Sequence, residues 1–142
     1  MFRQLTPSIL VSPQISVADV EQARAQGVTV IINNRPDDEE PGQVNGAEIE
    51  AAAKAAGIAY AAVPVAHGGF APWQLDGMAA ALAQAGEGKI LAYCRSGTRS
   101  TLLWALTRAR AGDHPAALTE QAANAGYDVT PVLQIMDALA AN

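Results

Sequence analysis

Short apolar runs alternate with longer stretches of helical spacing along most of the chain. Ile9-Leu10-Val11-Ser12 reads as a short strand. Val28 to Asn33 (Val-Thr-Val-Ile-Ile-Asn) is β-branched and continuous, the pattern of a strand buried on both faces. Ile58 to Val65 and Lys89 to Tyr93 supply two more strands. Between them the spacing predicts helices. Ser16 is an N-cap for Val17 to Gln26, with Gly27 closing the helix. Asn45 or Gly46 opens a second helix through Ala56, closed by Gly57. Pro72 or Trp73 starts a third, which runs to about Ala85 before Gly86 to Gly88 break it. Three helical segments end the chain: Ser100 to Arg110, Pro115 to Ala125 and Thr130 to Ala141.

Strands that alternate with helices predict an α/β fold. The expected architecture is a mostly parallel central sheet of about four to five strands, flanked by helices and followed by C-terminal helices. No repeat or low-complexity linker divides the chain, so a single domain over residues 1–142 is expected. Ligands of such sheets bind outside the carboxyl ends of the strands. Those ends deliver Asn33-Asn34-Arg35, Ala66-His67-Gly68 and Cys94, so two remote polar loops are expected to meet at the thiol.

Composition narrows the partners. Half of the residues are apolar and the formal net charge is −5, with no basic stripe for a nucleic acid. No apolar run reaches the roughly 18 residues needed to cross a bilayer. Met1-Phe2-Arg3-Gln4-Leu5 lacks the apolar core of a secretory signal, and a cytoplasmic location is expected. A single cysteine leaves no internal disulfide and no cysteine-rich metal site. Neither cofactor nor metal is expected. Trp73, Trp104 and the Leu102, Leu103 and Leu106 set read as core; Asp76 reads as exposed on its helix, and His114 as a helix-start residue.

The chemistry concentrates in Cys94-Arg95-Ser96-Gly97-Thr98-Arg99-Ser100. A thiol between a strand and a helix N-terminus meets backbone N–H groups and the positive end of the helix dipole, a setting that favours a thiolate and can hold an anion above it. Cys94 is the expected nucleophile. Gly97 permits a backbone shape or approach that a side chain forbids. Arg99 can grip two oxygens of an anion with its planar fork. Arg95, Ser96 and Thr98 line the loop, and Ser100 can cap the helix or donate to the sulfur. Arg35, directly after a buried strand, can bind a substrate anion. An unperturbed imidazole titrates near neutrality, so His67 can act as acid or base, or be an ordinary loop histidine. Asp37 or Asp38 could supply an acid if the 34–42 loop folds over the thiol. The substrate is expected to be a small anion: thiosulfate, a persulfide or a phosphate ester. A non-enzymatic module that senses such anions is the competing class.

The loop resembles the active-site loop of rhodanese-type sulfurtransferases, Cys-x-x-Gly-x-Arg. Four residues separate Cys94 from Arg99, one fewer than in the related Cys-x5-Arg loop of cysteine-dependent phosphatases. Ile58 to Val65, a helix, Lys89 to Cys94 and the helices after it resemble the dual-specificity phosphatase layout. Taken with Val11-Ser12-Pro13-Gln14 and the run from Ile32 to Gly42, nearly the whole chain is similar to a bacterial family, the phosphatase-like domain of beta-lactamase hydrolase-like proteins. That resemblance implies a phosphatase-like fold. It implies either sulfur transfer or phosphate-ester hydrolysis, with a fused or neighbouring persulfide dioxygenase as partner. Dual-specificity phosphatases place an acidic Asp where His67 stands. Sulfur transfer, whose leaving groups need no proton, is the favoured expectation: a Cys94 persulfide handed to a thiol or another thiophilic acceptor. The alternative is a phosphatase working through a cysteinyl-phosphate.

Overall fold

A computed structural model describes residues 2–66 and 69–142. Its five strands are β1 (Arg3–Thr6), β2 (Ile9–Ser12), β3 (Val28–Asn33), β4 (Ala59–Ala62) and β5 (Lys89–Tyr93). They lie in the order β1-β2-β5-β3-β4, antiparallel only between β1 and β2. The helices are α1 (Val17–Ala25), α2 (Gly46–Ala55), α3 (Pro72–Ala83), α4 (Thr98–Arg110), α5 (Pro115–Asn124) and α6 (Leu133–Ala140). The expected α/β sheet with C-terminal helices is present.

Side chains alternate across the sheet, which gives each face its own core. Val30, Ile32, Ile90 and Ala92 face α3, α4, α5 and α6, where Trp104 is buried. Ile31, Leu91 and Tyr93 face α1 and α2. Local chemistry starts the helices on that second face: Ser16 with Asp19, and Asn45 with Glu48, form reciprocal capping boxes. β3 and β5 are central and covered on both sides, so the residues that follow them leave the sheet from rigid supports.

Four details differ from the sequence expectation. β1 was not expected, because Arg3 and Gln4 are exposed and polar; its pairing with β2, not an apolar run, makes it a strand. β4 stops at Ala62, although Val63 and Val65 still donate to Asn33 O and Asn34 O, both at 2.9 Å, on either side of Pro64. The last helical segment begins as a 3₁₀ turn, Thr130–Val132. Trp73 is 57% exposed on α3 and is not core, whereas Trp104 is. Asp76 is exposed and accepts from Arg110 at 2.8 Å, and His114 is the N-cap residue of α5. No helix among the described residues is long and apolar enough to cross a membrane.

Candidate active site

Cys94 directly follows β5 and is fully buried. Its sulfur is nevertheless met by a main-chain amide: Gly97 N–H donates to Cys94 Sγ at 3.1 Å. Gly97 makes this possible through a left-handed φ of 93°. It is also the N-cap residue of α4, which starts at Thr98. The expectation that Ser100 caps the helix is therefore corrected. A glycine can take the turn that ends the loop, and the helix begins two residues earlier than expected, at Thr98. Ser96 Oγ does the local capping, accepting from Thr98 N–H at 3.3 Å and donating to Thr98 Oγ1 at 3.0 Å. Ser100 is fully buried in the first turn, and its hydroxyl has no hydrogen-bond partner among the described residues.

Arg99 lies beside the thiol under an acidic loop. Its Nη1 donates to Glu39 Oε2 at 2.7 Å and to Val65 O at 2.6 Å, and its Nη2 to Glu39 Oε1 at 2.8 Å. This bidentate pair takes the terminal edge of the guanidinium. The Nε–H and the second Nη2–H form the other edge, the one an incoming oxyanion can use. The bond to Glu39 holds the Arg99 proton most firmly; burial works against it, and the Cys94 charge adds to it.

Arg35 is almost wholly buried, and all three of its guanidinium nitrogens are engaged: Nε with Glu39 at 2.9 Å, Nη1 with Gln14 at 3.0 Å and Nη2 with Glu40 at 2.9 Å. It braces the acidic loop from below. Gln43 closes the same loop, accepting from Glu39 N–H and donating to Pro36 O, both at 2.9 Å. Arg95 is exposed and approaches Glu40 at 3.7 Å. Three arginines thus pair with two glutamates around the loop. Asp37 turns away to accept from Gly46 N–H at the start of α2 at 2.8 Å, and Asp38 is exposed. His67 lies outside the described residues. Among those described, no three His, Cys, Asp or Glu side chains gather as a metal would require.

Sequence reasoning missed Glu39, Glu40 and Gln14. The available signal was charge: a buried strand end carrying an arginine needs carboxylates nearby, and the next loop holds four acidic residues, Asp37 to Glu40.

Glu39 has a pH signature. The hydrogen bond from Arg99 chiefly, against burial and helped by Arg35, lowers its carboxyl from the ordinary 4.5 to about 2. On acidification the unfolded chain takes up this proton first. The contribution of the pair to stability is therefore complete above about 4.5 and is lost as the pH falls toward about 2. Urea midpoints measured across that window are expected to fall more steeply with acidification in the wild type than in Glu39→Gln. Parallel slopes would contradict the depressed carboxyl.

The comparisons agree with this architecture. The profile of the family "Beta-lactamase hydrolase-like protein, phosphatase-like domain" matches residues 1–111. A beta-lactamase hydrolase-like protein of Agrobacterium fabrum is 35% identical over 109 residues, 77% of this chain. The chain spans a much smaller share of that relative, 25% of its length. Among solved structures, a candidate phosphatase from Neisseria meningitidis superposes with a TM-score of 0.82 at 33% identity, covering 96% of each chain. Tk-PTP in its active form superposes with a TM-score of 0.77 at 13% identity, covering 99% of this chain and 97% of its own, a likeness of fold. With most of its residues matched by one family model and a relative 35% identical over 109 of them, this chain belongs to the phosphatase-like domains of beta-lactamase hydrolase-like proteins.

Proposed function

We propose that the chain is a cysteine-nucleophile enzyme acting on small anionic substrates, and that hydrolysis of a phosphate ester is its first reaction class. The observation that carries this reading is the Gly97 amide aimed at Cys94 Sγ at 3.1 Å, with Arg99 held beside it by Glu39. The phosphatase-like family and the Neisseria relative support phosphate as the guest. Cys94 Sγ attacks phosphorus, the bond to the ester oxygen breaks, and that oxygen leaves with a proton that His67, the proposed acid, would supply. Water then cleaves the S–P bond, releasing phosphate and restoring the thiol. Donors aimed at the developing charge are the largest expected contribution to the rate. Gly97 supplies the donor that already faces the sulfur, and Arg95, Ser96, Thr98 and Ser100 are proposed to complete the substrate cradle around it. Arg35 serves it indirectly, by holding Glu39.

Sulfur transfer is the second reading, and two observations favour it. The loop holds four residues between Cys94 and Arg99, a tighter ring than three phosphoryl oxygens would occupy most easily. Glu39, the carboxyl nearest Arg99, stays ionised down to about pH 2 and cannot protonate a leaving group near neutrality. Asp37 is committed to α2. In this reading Cys94 takes a sulfane sulfur, expels sulfite or a thiolate, and passes the sulfur to a thiol acceptor; His67 remains a proposed acid for the phosphatase reading alone.

Two assays on the purified protein separate the readings. Phosphate released from an aryl phosphate, with no thiocyanate from thiosulfate and cyanide, is the expected result. Thiocyanate without phosphate would reverse the order. Saturable anion binding with negligible turnover in both assays would leave the sensing module.

A further inference from the structure

The peptide between Ser96 and Gly97 carries a hydrogen bond on each edge. Its N–H, from Gly97, donates to Cys94 Sγ at 3.1 Å. Its carbonyl, from Ser96, accepts from the Tyr127 hydroxyl at 3.0 Å. A trans peptide is planar, with C=O and N–H pointing in opposite directions. Fixing the oxygen therefore fixes the direction of the N–H.

Tyr127 is itself held from several sides. It follows Gly126 at the end of α5, and its own N–H donates to Ala122 O at 2.9 Å. The Arg3 guanidinium lies over the ring, 5.5 Å from its centroid, and Arg3 Nη1 donates to Ala125 O at 3.0 Å. Both ends of this arrangement are glycines in the left-handed region, Gly97 at φ 93° and Gly126 at φ 91°. A side chain at Gly126 would strike the Arg3 guanidinium, and one at Gly97 would strike the Tyr127 hydroxyl. Burial pushes the phenol up, against the pull of Arg3, so the hydroxyl keeps its proton and remains a donor.

We propose that Tyr127, braced by Arg3, is a positioning residue that aims the Gly97 amide at Cys94 Sγ and so sets the reactivity of the thiolate. The inference rests on Cys94 being the nucleophile. It gives work to the C-terminal helical segment, which lies beyond the residues 1–111 matched by the family profile.

Tyr127→Phe keeps the ring against Gly97 and Arg3 and removes only the donor. The rate of Cys94 alkylation by iodoacetamide, followed by intact mass across a pH series, reads the thiolate directly. For Tyr127→Phe the profile is expected to move to higher pH by roughly half a unit to one unit. Alkylation near neutrality is expected to fall about three- to tenfold, with an unchanged thermal midpoint. Arg3→Met loosens the ring without touching the loop and is expected to shift the profile the same way by less. It keeps the test decisive should Tyr127→Phe fold poorly. Profiles that superimpose on the wild type would overturn the proposal while leaving a reactive Cys94 intact. A wild-type protein that alkylates like a free thiol and turns over neither substrate would instead remove the nucleophile reading itself.

Discussion

Cys94→Ser is expected to lower turnover of an aryl phosphate by roughly 10³-fold or more, and to do the same to any release of thiocyanate. Both readings pass through a covalent bond to the same sulfur, so both lose it together. Serine keeps the shape but not the nucleophile: its hydroxyl stays protonated where a thiol can ionise. The Gly97 N–H would then face a hydroxyl oxygen in place of the sulfur. The check is a steady-state assay with intact-mass analysis of a quenched reaction. Wild-type protein should carry one added phosphoryl group, or one added sulfur, and Cys94→Ser neither. Undiminished activity in Cys94→Ser would remove every covalent scheme.

Arg99→Lys is the second large effect. The change keeps the positive charge, so it tests geometry and not electrostatics alone. The present guanidinium spends its terminal edge on Glu39 and its outer Nη1–H on Val65 O, at distances between 2.6 and 2.8 Å. That leaves a flat fork for an oxyanion. An ammonium has no second edge: if it pairs with Glu39 it has no matched pair of donors left for substrate. A fall in kcat/KM of roughly 10²–10³-fold is expected, chiefly in kcat, because the lost contacts tighten as charge develops. Steady-state kinetics on an aryl phosphate checks it, with vanadate binding as a second measure. A change below threefold would mean that Arg99 holds the acidic loop and does not grip the anion.

Much of the fold was legible in the sequence because it was written in local chemistry. The run from Val28 to Asn33, β-branched at all but its last position, marked a strand, and all of it but Thr29 is buried. The capping residues Ser16 and Asn45 mark the starts of α1 and α2. β1 was illegible for the opposite reason: it has little apolar pattern of its own and exists through its hydrogen bonds to β2. Trp73 misled because an aromatic residue in a helical run is usually inward, and here the first turn of α3 places it on the outer face.

The site divides the same way. Cys94, Gly97 and Arg99 sit within a few residues of one another, so spacing alone relates them. Glu39 meets Arg99 across 60 positions of chain, and Tyr127 meets Ser96 across 31. No local pattern encodes such pairs. Arg35 shows how far the surroundings can change a reading. As a sequence position it follows a buried strand and looks free to bind an anion. In the folded protein each of its nitrogens already has an acceptor.

By itself, the sequence determined a layered α/β domain and a thiol at the junction of a central strand and a helix. Strand and helix periods, and the turn a glycine allows, act over a few residues. Which carboxylate holds the arginine and which phenol turns the peptide toward the sulfur were decided only in three dimensions. Hydrogen bonds and ion pairs act over about 3 Å of space, and only the packed chain brings such distant residues that close.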